Sequence, residues 1–404
     1  MKLKKKRLLL QQLKTVKDFR VDKHKILYPL HEILFLTLFA LLKGNTTFKE
    51  IHIWMECSVN NTLLKKLFEK KYISIPSKST LHRILMNVDN EEIELIFREY
   101  FAKHIKKKNV AIDRKWLNGS DINGQYTQQG HKAILNVLDK ETQVVFAHKF
   151  LDHTKKSEIP AFTELLKENY FSSDSQIFSF DALLTQHEIL NIINTQGSKY
   201  IAKVKGNQKL LKEKVVLTAS NFVNPSDRYN DSELNTLERD CRVIRVVEVY
   251  ENRDCDIVMH HLLFKNIQSI IKVTKTSTSF KTGEVKTTTE YLIANYKSTA
   301  KEFRDTILQH WRVETYHYHL DKLMEEDDHI AYINPFSISI LRSFAINLYQ
   351  IFHNKYKDEK ILSKSAKTTM ANIKNYSRHD DELVSNYPKL ISNFSPYPMI
   401  TFST

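Results

Sequence analysis

Three acidic side chains, far apart in the chain, are placed where they could do chemistry. Asp113 closes the short apolar run Asn109-Val110-Ala111-Ile112, and Asp181 closes Gln176-Ile177-Phe178-Ser179-Phe180. Each run reads as a buried strand ending on a carboxylate. The third, Glu314, lies in a helical stretch from Ala300 to Asp328. Helical spacing there sets His310, Glu314, His317, Tyr318, Asp321 and Glu325 on one stripe together with Trp311. Such a stripe is poor core material, and taken alone it also suits a solvated helix face laced with ion pairs. The two strand-end aspartates change its meaning. Carboxylates at two strand ends, with a third on a later helix, can hold two divalent cations for phosphoryl chemistry on nucleic acid.

The elements that must position these residues follow from periodicity. Val110 to Asp113 is a strand, followed by a turn at Asn118 to Gly124 and a hairpin of His131 to Leu138 and Gln143 to Phe150. A helix from Ile159 to Asn169, the strand ending at Asp181, a helix from Thr185 to Asn194 and a strand from Lys199 to Lys205 complete an α/β pattern. This is a mixed sheet with helices on its faces, and ligands in such sheets gather where strands end. Arg242 to Tyr250, Ile257 to Phe264, Ile270 to Thr278 and Thr287 to Ala294 read as further strands, the last two joined at Lys281-Thr282-Gly283-Glu284, and form a small β insertion. Phe336 to His353 is one more amphipathic helix.

Ahead of the sheet come short helices: Leu30 to Leu42, Phe48 to Cys57 opened by a capping box of Thr47 and Glu50, Thr62 to Lys71, Ser79 to Val88 and Glu91 to Lys107. Ser79 to Asn87 is a candidate recognition helix of a helix-turn-helix; the other reading is a helical packing domain that never touches DNA. The division expected is a helical domain over 1–107, a core over 108–215 and 297–357, a β insertion over 216–296 and a tail over 358–404.

Composition narrows the partners. The 404 residues carry 61 Lys and Arg against 47 Asp and Glu, a net charge of +14 and a pI near 9.3, which favours a polyanion. Basic residues are dense from Lys2 to Lys25, as in a phosphate-contacting arm or a frayed terminus. With 7 glycines and neither Gly-x-Gly-x-x-Gly nor a P-loop, backbone-cradled nucleotides are excluded, so chemistry must rest on side chains or metals. Cys57, Cys241 and Cys255 form no Cys-x-x-Cys pair and read as reduced bystanders. The apolar run Ile33 to Leu42 is too short to span a bilayer and no signal peptide is evident, so a cytoplasmic, nucleoid-associated protein is expected.

Five segments, in order, carry a resemblance: Ala111-Ile112-Asp113-Arg114-Lys115, Phe180-Asp181-Ala182, Val204-Lys205-Gly206-Asn207-Gln208, His310-Trp311-x-x-Glu314 and Glu326-Asp327-Asp328. Between about Tyr28 and Tyr349 the chain resembles bacterial insertion-sequence DDE transposases, in the group that includes the H-repeat-associated proteins. The resemblance implies an RNase H-like core with an N-terminal helical domain and a β insertion. It implies Asp113, Asp181 and Glu314 as catalytic residues and as ligands to two Mg²⁺ ions, with Mn²⁺ as a substitute. Its partner would be double-stranded DNA, at element ends and target, bound by a homodimer.

Some positions depart from the family pattern. The usual glycine after the first aspartate is Arg114, a frequent glycine before the glutamate is Arg312, and the distance from Glu314 to Asp321 is one residue short. The tyrosine, arginine and lysine that flank the glutamate in related transposases are replaced by Ile307, His310 and Asp321. Around the trio, Arg114, Lys115, Lys203, Lys205, Asn207 and Arg312 are the expected DNA-binding side chains, the alternative for the Lys203 to Lys209 segment being a solvated basic turn. Trp311 either packs the helix on the sheet or stacks on an unpaired base. His317 either assists proton transfer or is an ordinary hydrogen-bonded histidine. His260 and His261 point to opposite faces of one strand and make a poor metal pair. Catalysis of DNA cleavage and strand transfer is the leading expectation; a catalytically inactive, element-derived DNA-binding protein and a metal-dependent nuclease of another kind are the alternatives.

Overall fold

A computed structural model describes residues 8–22, 26–117, 132–151, 158–168, 176–221, 224–234, 236–238, 240–251, 263–328, 334–356 and 369–379. The expected turn at 118–124, the histidine pair 260–261 and the strand residues 257–262 lie outside them. The N-terminal part is helical: α1 (Leu8–Leu13), α2 (Leu30–Leu42), α3 (Phe48–Cys57), α4 (Thr62–Phe68), α5 (Lys78–Asn87) and α6 (Asn90–Phe101). From Ile33 onward α2 is apolar on all sides apart from Thr37 and is buried accordingly, the centre of the bundle rather than its surface. The Thr47 hydroxyl and the Glu50 carboxylate cap the start of α3 reciprocally, as the sequence signature requires. On α5 the residues Leu81, Ile84 and Leu85 face the core.

The chain continues as β1 (Asn109–Leu117), β2 (Lys132–Asp139), β3 (Val144–Leu151), α7 (Glu158–Lys167), β4 (Ile177–Phe180), α8 (His187–Thr195), β5 (Lys199–Val204) and α9 (Lys209–Asn221). Then come β6 (Asp227–Asn230), β7 (Leu237–Glu238), β8 (Cys241–Glu251), β9 (Ser269–Ser279) and β10 (Val285–Ala294). The helices α10 (Ala300–His310), α11 (Arg312–Met324), α12 (Phe336–Tyr356) and α13 (Met370–His379) follow.

Among the described residues the strands make one 10-stranded sheet in the order β3-β2-β1-β4-β5-β10-β9-β8-β6, with β7 on β8. β1, β2 and β3 pair antiparallel, whereas β1, β4 and β5 are parallel. Three antiparallel strands followed by two parallel ones form the RNase H-like mixed core that the resemblance implied. The strands expected as a β insertion do not make a sheet of their own. β10 pairs antiparallel with β5 through Tyr291 to Ala294, because this half of β10 is apolar and buried on the same core. On the turn side of Tyr291 the hairpin of β9 and β10 is far less buried, and there its residues are mostly Thr, Lys and Ser.

Two apolar layers cover the sheet. One face packs on α7, α8 and α9 through Val110, Ile112, Phe178, Phe180 and Ala202. The other, carrying Ala111, Leu138 and Val145, joins a continuous core with the N-terminal helices, α11 and α12. α13, within the stretch expected as a tail, buries Met370 and Ile373 against that core. α9 was likewise not expected; it is weakly amphipathic and buries only Leu211, Val215 and Ala219 in a polar sequence. The stretch Ala300 to Asp328 is two helices rather than one. At Trp311 the backbone tightens to a 3₁₀-type turn, its amide bonding the Leu308 carbonyl at 3.2 Å.

Candidate active site

The positions of Asp113 and Asp181 follow from strand register. In the parallel pair of β1 and β4 the last partners are Ile112 and Phe180, so Asp113 and Asp181 come next on adjacent strands. Neighbouring parallel strands lie about 4.8 Å apart and residues in register project from the same face. The row extends sideways. Asn136 of β2 is the partner of Asp113, and Phe180 pairs with Ala202 of β5, which sets Lys203 level with Asp181.

α11 crosses this face, packing on β1 through Val313 and Ala111 in the shared core. Its N-terminus is anchored on both sides of Trp311. His310 Nδ1 lies 3.0 Å from Ser179 Oγ, and the Arg312 guanidinium donates to the Lys140 carbonyl. One turn on from Glu314, His317 Nδ1 lies 3.7 Å from Asp113 Oδ2, while its Nε2 is 3.0 Å from Asn136 Nδ2. His317 is therefore held between the first aspartate and a buried amide. Glu314 is exposed at the solvent side of the same stripe.

Electrostatics differ among the three carboxylates. Burial, followed among the carboxylates by Glu314, Glu158 and Asp181, pushes the Asp113 carboxyl up to about 7. Burial and Asp181 raise Glu314 against the opposing pull of Lys203. For Asp181, burial acts upward, but the ammonium of Lys205, 3.0 Å from Oδ1, and the Ala182 amide bring it below the usual carboxylate range. An all-oxygen donor set that carries excess negative charge suits a hard divalent cation. Among the described residues, however, no three His, Cys, Asp or Glu side chains stand close enough to hold a metal ion as they are. Asp181 is engaged instead by the Lys205 ammonium, 3.0 Å from its Oδ1.

The basic residues divide into two groups. Lys203 and Lys205 line the site, Lys203 bonding Glu290 Oε1 at 2.6 Å and Lys205 half exposed on Asp181. Asn207 is exposed, but its amide donates to the Ala182 carbonyl at 2.8 Å and so ties down the turn after Asp181. Arg114 and Lys115 are not placed to meet DNA, contrary to expectation. Arg114 points to the opposite face of β1, against Glu158 at 2.8 Å and over the Trp116 ring. Lys115 is 6% exposed and enclosed by Asp321, Asp327 and Glu326. Arg312 is spent largely on the Lys140 carbonyl. Trp311 does not pack the helix on the sheet; half of its surface is open to solvent, because the anchors on either side turn it outward.

Sequence reasoning missed Asn136, Lys140, Ser179 and Glu158. Asn136 did leave a trace as a lone amide inside the apolar run Ala133-Ile134-Leu135-Asn136-Val137-Leu138. The others gave none. Lys140 lies in the tight β2–β3 turn, fully buried, and its Nζ donates to Ser179 Oγ at 3.2 Å.

Residues 10–101 match the DDE_Tnp_1-associated family. The chain is 26% identical over 347 residues to YhhI of Escherichia coli strain K12, an H-repeat-associated protein named provisionally as a transposase, covering 81% of this chain and 85% of that one. It is 27% identical over 337 residues to YncI of Escherichia coli O157:H7, named in the same provisional way, covering 79% and 80%. A solved synaptic complex of the piggyBac transposase with hairpin DNA aligns with 98% of this chain and 84% of that one, at 13% identity and a TM-score of 0.42, too distant to bear on the site. Residues 10–101 thus carry a DDE_Tnp_1-associated domain, and along four fifths of its length the chain is similar to proteins provisionally named as transposases, an H-repeat-associated one among them.

Proposed function

We propose that this protein is a transposase that nicks DNA at the ends of its element and joins the freed 3′ end to a target duplex, with Asp113, Asp181 and Glu314 as cation ligands. The observation that carries this reading is the shared row of Asp113 and Asp181 on parallel strands, crossed by the helix that bears Glu314 and places His317 beside Asp113. Two Mg²⁺ ions, or Mn²⁺ in their place, would supply Lewis-acid activation of the attacking oxygen and stabilisation of the leaving oxygen.

The chain's own residues have separate tasks. Asp113 would be one of the cation's ligands, and the His317 ring beside it, 3.7 Å from Oδ2, is itself fixed by Asn136. Lys205, 3.0 Å from Asp181 Oδ1, would be displaced by a cation bound there, and its ammonium would then be available to a phosphate beside Lys203. Trp311, exposed one turn before Glu314, offers a stacking face to an unpaired base. A net charge of +14 favours the polyanionic substrate, and two DNA ends call for a homodimer.

The second reading, an element-derived protein that binds DNA without cutting it, is favoured by the lack of a ready three-residue metal group among the described residues. One experiment separates them. Purified protein is given a duplex carrying the inverted repeat that flanks the coding region, with Mg²⁺ or Mn²⁺ and a target plasmid. Divalent-dependent nicking and 3′-end joining, both lost on Asp181→Asn with DNA binding retained, support the first; binding without nicking in either metal overturns it.

A further inference from the structure

We infer that Lys115 is a positioning residue that fixes the Glu314 helix on the strand of Asp113; the inference rests on the carboxylate site proposed above. Along β1 the residues Ala111, Asp113 and Lys115 share the face that α11 crosses, since side chains alternate. The Lys115 ammonium lies 2.6 Å from Asp321 Oδ1, 3.0 Å from Asp327 Oδ1 and 3.9 Å from Glu326 Oε2. Asp321 belongs to α11 and the other two to the turn that ends it. Glu326 is itself fixed by the Ser339 hydroxyl at 2.7 Å.

Asp113 with His317 and Lys115 with Asp321 are thus successive rungs between one strand and one helix. Two strand residues advance about 6.7 Å and four helical residues about 6 Å, so both rungs close together in a single register. A slip of α11 by one turn would break both and carry Glu314 about 5.4 Å along the helix axis. A lysine buried to this degree, among three carboxylates, costs desolvation that only its partners offset, and removing it leaves those acids crowded without a cation. Its enclosure also rules out the phosphate contact expected from its place after Asp113.

The test uses the full-length protein with Lys115→Met, Lys115→Arg and Asp321→Asn. Amide hydrogen exchange is followed by mass spectrometry, DNA-end affinity by anisotropy, and nicking as a function of Mn²⁺ concentration. In Lys115→Met we expect exchange over 312–324 to rise at least about tenfold while β4 and β5 are unchanged. The Mn²⁺ concentration for half-maximal nicking should rise at least about fivefold, with DNA affinity held within about twofold. Asp321→Asn should move in the same direction, and it decides the matter if Lys115→Met fails to fold. Lys115→Arg should keep part of the effect. Unchanged exchange over 312–324 in both Lys115→Met and Asp321→Asn overturns the inference, as does a tenfold loss of DNA affinity without it. A wild-type protein that nicks in neither metal overturns the proposed function instead, and the exchange measurement still decides the role of Lys115.

Discussion

Asp113 and Asp181 stand level with each other on adjacent parallel strands, each one residue past the last registered pair, Ile112 and Phe180. Two carboxylates so placed repel each other unless something positive lies between or beside them, and here Lys205 attends only one of the two. The burden falls on Asp113, which is the more buried and is held near neutrality in its titration.

If these acids act through a shared cation, each is indispensable. Asp113→Asn, Asp181→Asn and Glu314→Gln should each lower nicking by at least about a hundredfold while leaving end-DNA affinity within a few fold. Single-turnover nicking and anisotropy on the same preparations check this. Any one variant keeping full activity would remove its residue from the site.

Lys205 competes for Asp181. Replacing it by Met removes a positive charge beside the carboxylate, so Mn²⁺ should bind the protein several-fold more tightly, while DNA affinity falls modestly through the loss of a phosphate contact. Titration calorimetry with Mn²⁺ alone is the measurement, and weaker Mn²⁺ binding would contradict the competition.

Lys140 gives the stability a pH dependence. Burial, with the Arg312 guanidinium next, lowers its ammonium from 10.5 to about 7. Between those values the unfolded chain holds a proton that the folded chain lacks. This group's contribution to stability therefore rises with pH across that window and is flat below it. His310, lowered by burial to about 4 from 6.5, has the same sign over its own lower window. Relative to wild type, Lys140→Met should gain most in melting temperature near pH 7 and lose that gain toward pH 10. A difference independent of pH would mean that Lys140 keeps its charge when buried.

The inner face of α11 can be weakened without touching chemistry. Tyr316 Oη and Ser343 Oγ share a buried hydrogen bond of 2.7 Å between α11 and α12. Tyr316→Phe should cost about 1 kcal/mol in urea unfolding and leave nicking per folded molecule unchanged. Loss of nicking at full stability would place Tyr316 in the site instead.

Much of this protein was written locally. Apolar runs closed by Asp113 and Asp181, the Thr47 and Glu50 cap, and the spacing of Glu314, His317 and Asp321 are short-range signals, and each element they announce is present. Side-chain periodicity reports which face of an element is apolar because strand and helix geometry are fixed by the backbone. What it cannot report is the partner across the interface. The same sequence reading gave Arg114, Lys115 and Lys205 one role, as basic residues beside carboxylates. Tertiary packing separated them: alternation along β1 turned Arg114 to Glu158, the approach of α11 enclosed Lys115 with Asp321, and the end of β5 left Lys205 at the solvent edge on Asp181. Lys115 and Asp327 are 212 positions apart. Their meeting is set by strand register and helix packing, and no local rule encodes it. The sequence by itself determined which chemistry the acids could do; the fold decided which charges were left free to serve it.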